Sequence, residues 1–159
     1  PEPIISETVA RIMSLRDGSK KMSKSDESDL SRINLTDTSD QIAQKIKKAK
    51  TDSEPIDDKI FNQKSIRYEA QNLIKIYSSL KSEREDKVIK EFEGKSFSDF
   101  KKNLTDLLIE KIHPISDKIK DYRKDDSVLL KILNNGTDKA AEVADKNILD
   151  IKKIVGLEL

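Results

Sequence analysis

The chain has no cysteine, one histidine, four glycines and four prolines among its 159 residues, and no long apolar run. Without cysteine, disulfides and thiolate metal sites are excluded, and a reducing compartment fits. With His113 as the sole histidine, a histidine metal cage or a catalytic histidine pair is excluded. No stretch approaches the roughly 20 apolar residues needed to span a bilayer, so no membrane partner is expected. An excess of one charge is lacking too, because 31 basic and 30 acidic side chains leave a net +1. No overall field draws the chain to nucleic acid. DNA is not an expected partner, and any RNA contact needs a local basic patch. Aromatics make up only 4% of the residues, so most are needed for a core. The first residues, Pro1-Glu2-Pro3-Ile4-Ile5, carry neither an initiator methionine nor a basic-then-apolar secretory pattern. They read as the start of a piece cut from a longer parent.

What is present is charge, at 38% of residues, and helical periodicity. This suits helices with one buried stripe and wide solvated faces, and not a parallel sheet, whose strands need long apolar runs. Residues 9–15 read as a brief strand or strand end, and 16–39 as loop. Asp40 is an expected N-cap for a helix to about Lys50, with Ile42, Ala43, Ile46 and Ala49 on one face. A polar connector over 51–65 contains Pro55. The next helix is expected from Ile66 to Lys81, and a short one from Glu83 to Glu93. Ser96 should cap a long helix with apolar positions Phe97, Phe100, Leu104, Leu107, Leu108, Ile112, Ile115, Ile119 and Tyr122, a pattern sustained for roughly seven turns. Pro114 should kink it. Two last helices are expected, Asp126–Asn134 and Asp138–Val155, with Ala140, Ala144, Ile148, Ile151 and Val155 as the buried stripe of the second. Gly94, Gly136 and Gly156 each follow a helical pattern, where a left-handed cap residue is expected. The fold class is therefore mainly α, a helical bundle behind a short strand-and-loop segment.

The segment Lys21-Met22-Ser23-Lys24-Ser25 carries the chemistry. Two lysines three apart, with hydroxyls between and after them, suit a mobile loop that grips polyphosphate. An ammonium is a compact charge on a flexible stem and can follow a moving phosphate. Lys21 and Lys24 can converge on the β- and γ-phosphates of a nucleotide, Ser23 and Ser25 can hydrogen-bond phosphate oxygens, and Met22 presents backbone. Closure of such a loop also excludes water. Gly18, in the preceding turn, is expected to make that turn compliant.

The stretch from Arg11-Ile12-Met13-Ser14-Leu15 through Lys20 to Asp26 resembles the ATP-binding signature loop of class I aminoacyl-tRNA synthetases. Further along, the chain resembles the tryptophanyl-tRNA synthetase family of the bacterial or mitochondrial type. The matching stretches are Ile46-Lys47-Lys48-Ala49, Thr51-Asp52-Ser53-Glu54, Asn72-Leu73-Ile74-Lys75-Ile76-Tyr77-Ser78, Phe92-Glu93-Gly94-Lys95 and Asn135-Gly136-Thr137-Asp138-Lys139-Ala140. The resemblance implies catalytic roles for Lys21 and Lys24, and an ATP site formed by Ile12, Lys21, Met22, Ser23, Lys24 and Ser25, with the Ile12 backbone reading adenine. It implies that residues 1–39 are the C-terminal edge of a Rossmann-like catalytic domain and that 40–159 form an α-helical anticodon-binding domain. The implied parent reaction is ATP-dependent joining of tryptophan to tRNA(Trp), with Mg2+ accompanying ATP, in a cytoplasmic or organelle-matrix homodimer. The dimer contact lies largely in the half this chain lacks, so the piece is expected to be monomeric. The family's histidine-containing phosphate motif, its Gly-Asp-Gln ATP motif and its tryptophan pocket have no counterpart here. The chain alone is therefore expected to be inactive and to hold no cofactor or metal. Asp17-Gly18-Ser19 stands where many relatives have Asp-Pro-Thr, which points to a looser loop.

Lys45, Lys47, Lys48 and Lys50 form a basic helix face, and the first three are candidates for tRNA phosphate contact. Lys101, Lys102, Lys118, Lys120, Arg123 and Lys124 are weaker candidates. His113 reads as a helix-surface or packing residue. A rival reading is a free-standing helical RNA- or protein-binding module with a coincidental or vestigial signature.

Overall fold

The structure is a computed structural model that describes residues 2, 9–61 and 67–157. Among these residues five α-helices follow one another: α1 (Ser39–Lys48), α2 (Tyr68–Lys81), α3 (Glu85–Phe92), α4 (Phe97–Tyr122) and α5 (Asp126–Ile154), with 3-10 turns at Asp29–Ser31 and Asp58–Phe61. Among the described residues the only β pairing is one antiparallel bridge, Met13 to Lys21. The mainly α expectation holds. Ile66, the expected start of the second helix, lies outside the described residues, as do Pro1 and Pro3.

The chain divides into two compact units, meeting in sequence at Ser116 and Asp117. The first has a continuous core. Ile42 and Ile46 from α1, Leu73, Ile74 and Tyr77 from α2, Val88 and Phe92 from α3, and Phe97, Phe100, Leu104, Leu108 and Ile112 from α4 are all buried in it. Leu15, ahead of the signature segment, belongs to the same core, and Ile12 and Met22 pack against it. Phe92 and Phe100 meet edge-on at 4.9 Å, and Tyr77 packs 5.3 Å from each. Such ring pairs add about 0.5–1.5 kcal/mol each beyond area burial.

Local signals explain the helix ends. Thr38, not Asp40, caps α1. Its hydroxyl accepts from the Gln41 N–H, while the Gln41 side chain accepts from the Thr38 N–H, a reciprocal box that satisfies two otherwise orphaned donors. Asp40 lies in the first turn, where its charge suits the helix dipole. Ser96 caps α4 as expected, accepting from the Asp99 N–H. Pro114 stands inside α4, which continues to Tyr122. The long apolar pattern is buried only as far as Ile112; Ile115 and Tyr122 are exposed.

Two expectations about the second unit fail. Gly136 does not separate two helices, because α5 runs unbroken through it. A glycine inside a helix costs only about 1 kcal/mol relative to alanine, less than the penalty of nucleating a new helix. The stripe Ala140, Ala144, Ile148, Ile151 and Val155 is not buried either; α5 has no buried residue. Periodicity reports amphipathic character and does not supply a partner for the apolar face. Gly94 and Gly156 do adopt left-handed φ values, +74° and +73°.

Candidate functional site

The signature segment hangs from a short stem. The backbone groups of residues 12–15 alternate between two edges. On one edge Ser14 N–H donates to Lys20 C=O at 2.8 Å and Met22 N–H to Ile12 C=O at 3.0 Å. That pattern makes Met13 and Lys21 a non-hydrogen-bonded antiparallel pair, so Met13's own N–H and C=O face the other edge. There they meet the Asn72 side chain of α2. Its oxygen accepts from Met13 N–H at 2.9 Å and its nitrogen donates to Met13 C=O at 2.8 Å. Leu15 is held on the same edge, donating to Ser31 C=O at 2.9 Å and accepting from Lys50 N–H at 2.8 Å.

Beyond the stem, Lys21-Met22-Ser23-Lys24-Ser25 folds into a turn. The Ser23 and Ser25 hydroxyls lie 3.1 Å apart, and Asp26 N–H reaches back to Ser23 C=O at 3.4 Å. Arg32 then secures the far side by donating to the Asp26 carbonyl at 2.9 Å. Lys21 and Lys24 are exposed, and among the described residues neither ammonium is ion-paired. Lys20, by contrast, pairs with Asp17 at 3.5 Å. Met22 and Ser23 are half-buried. Ile12 is half-buried at the start of the stem, with its carbonyl already engaged by Met22.

Gly18 is not a point of compliance. It is buried, and a Cβ there would lie 2.7 Å from the Glu69 nitrogen and 2.8 Å from the Tyr68 Cβ. The turn before the signature packs directly on the first turn of α2, which only a residue without a side chain allows. The Lys50 ammonium lies 2.8 Å from the Glu69 carboxylate. Hydrogen bonding from Lys50 is the main cause holding the Glu69 carboxyl below its ordinary range.

The basic candidates separate. Lys45 is 2% exposed, its ammonium 2.6 Å from Asp37 and 2.7 Å from Asp29. It is a buried ion-pair residue and not part of an open phosphate-binding face. Lys47 and Lys48 are exposed. Lys47 lines a cleft with Thr51, Ser96, Lys101 and Lys102. Lys101 donates to the Ala49 carbonyl at 2.7 Å, and burial pushes its ammonium pKa down. Lys120 and Lys124, in the second unit, pair with Asp117 and Asp121. His113 is exposed on α4.

Sequence reasoning missed Asn72, Arg67 and the Asp29–Asp37 pair. Asn72 carried a legible signal, a polar residue beside Leu73 and Ile74 in an apolar run. Arg67 did not, because its five-donor fork finds partners only once the connector folds around it. It engages both Asp52 carboxylate oxygens and the Glu54 and Pro55 carbonyls, and lies 5.6 Å over the Phe97 ring.

Comparison with known proteins gives this geometry a lineage. The model of the family described as "tRNA synthetases class I (W and Y)" matches residues 1–112. The tryptophan–tRNA ligase of Caulobacter vibrioides is 46% identical over 156 residues, covering 98% of this chain and 45% of that protein. The tryptophan–tRNA ligase of Rickettsia felis is 47% identical, covering 98% and 46%. The crystal structure of tryptophanyl-tRNA synthetase from Mycoplasma pneumoniae superposes with a TM-score of 0.77 at 26% identity, covering 96% of this chain and 45% of that one. The chain thus spans a little under half the length of the relatives it matches. With the family model covering most of its length and the signature segment standing on a built stem, the chain belongs to the class I tRNA synthetases of the tryptophan and tyrosine group.

Proposed function

We propose that this chain is the C-terminal portion of a tryptophan–tRNA ligase, which joins tryptophan to tRNA(Trp) through a tryptophanyl-adenylate formed from ATP. The observation that carries this reading is the exposed placement of Lys21 and Lys24, without an ion-pair partner among the described residues, on a stem fixed along both edges. The 46% identity to a tryptophan–tRNA ligase over nearly the whole chain supports the choice of amino acid.

In this reading the tryptophan carboxylate attacks the α-phosphorus of ATP, and pyrophosphate leaves with the bridging electron pair. Lys21 and Lys24 meet the negative charge building on the departing phosphates. The Ser23 and Ser25 hydroxyls and the Met22 backbone add hydrogen bonds, and the Ile12 backbone faces adenine. Residues 1–39 are the C-terminal edge of the catalytic domain, and residues 40–159 the helical anticodon-binding domain. Lys47 and Lys48 contact tRNA phosphates there; Lys45 is withdrawn from that role by its burial. Magnesium arrives with the nucleotide, as the counter-ion of its phosphates. The whole enzyme is a homodimer of the cytoplasm or an organelle matrix.

The test is tryptophan-dependent ATP–pyrophosphate exchange by the full-length ligase. Losing one donor to developing charge costs about 3–4 kcal/mol, so Lys21→Ala and Lys24→Ala should each slow exchange by roughly 10²–10³-fold. The KM for tryptophan should be unchanged. A full exchange rate with both lysines replaced refutes the reading. The 159-residue chain alone should show no exchange.

A further inference from the structure

Asn72 is a side chain doing the work of a strand. It is 2% exposed, in the second turn of α2, and 59 residues along the chain from Met13. Its amide saturates both backbone groups that Met13 turns away from Lys21, as a neighbouring strand would. One edge of the stem is thus closed by the signature segment and the other by the helix. The same helix grips the stem's return turn, where Gly18 lies against Tyr68 and Glu69. We infer that Asn72 is a positioning residue that sets the register of the loop stem, so that the two signature lysines close on the nucleotide from a fixed base. This rests on the ATP-loop reading given above. It adds that a residue of the helical domain, touching no substrate, governs the loop.

Asn72→Asp keeps the shape but removes the donor and sets an oxygen against the Met13 carbonyl. Asn72→Leu keeps the branched shape and leaves both Met13 groups unpaired. In the full-length ligase each variant should raise the KM for ATP, or lower the exchange rate, by at least tenfold. The KM for tryptophan should stay within twofold, a split that general loss of structure does not produce. Without nucleotide, tryptic cleavage after Lys21 and Lys24 should accelerate at least fivefold relative to cleavage elsewhere. Unchanged loop cleavage, or equal changes in both KM values, overturns the inference. Should neither variant fold, amide hydrogen exchange of the wild-type enzyme decides. The Met13 amide should be protected alongside Ser14 and Met22, and an unprotected Met13 amide overturns the inference. The Lys21 and Lys24 variants separate the two ideas. If they keep full exchange while the Asn72 variants free the loop, the ATP reading falls and the role of Asn72 stands.

Discussion

Lys45 and Lys47 sit two residues apart in α1 and face opposite demands. Lys47 is open to solvent, while Lys45 holds Asp37 and Asp29 together. A helical pattern alone could not separate them, because Asp37 and Asp29 lie in what reads as featureless loop. Lys45→Met would leave the Asp37 carboxylate buried without its cation. Breaking such a pair costs about 3–5 kcal/mol, so urea denaturation should show a large loss of stability. Gly18 teaches a related lesson. A glycine in a polar turn reads as freedom, yet here it marks close approach of backbone to backbone. Gly18→Ala should destabilise by about 1–3 kcal/mol through overpacking, measured by the same denaturation. The signature residues of the site were legible from their types and spacing. The residues that hold them were not, because those contacts join segments tens of residues apart.

Helices are where the sequence spoke most clearly, and their boundaries show which signals compete. α2, α3 and α4 lie where apolar periodicity predicts them, within a few residues at each end. The start of α1 moves from Asp40 to Thr38 because the Thr38–Gln41 box satisfies more donors than Asp40 could. Glycine is the ambiguous letter. Gly94 has φ of +74°, where a side chain is strained, whereas Gly136 lies within α5 with nothing beyond its chain neighbours and the adjacent turns of helix backbone within 4 Å of where a methyl group would stand. The same substitution should therefore have opposite signs at the two sites. Gly136→Ala should stabilise by about 0.5–1 kcal/mol, and Gly94→Ala should destabilise by more than that. Thermal unfolding of the two variants checks the pair.

Across the whole molecule, acid should act through carboxyls that folding has partnered. Asp52, Glu69 and Asp29 are held below their ordinary range, first by hydrogen bonds from Arg67, Lys50 and Lys45 respectively. Their depressed folded-state values mean that the stability they contribute is fully present above the unfolded-chain values, near pH 4. It is lost as pH falls through the folded values. Glu85 opposes them, since burial raises its carboxyl. Asp52→Asn should thus be less stable than wild type at pH 7, and urea titrations of the two should converge below pH 4.

The Asn72–Met13 pairing also carries a consequence for synthesis. Its partners are 59 residues apart in the chain. At about 5–20 residues per second, Asn72 is polymerised roughly 3–12 s after Met13. Until α2 forms, the outward N–H and C=O of Met13 lack their native partner on the nascent stem, an invitation to wrong pairing.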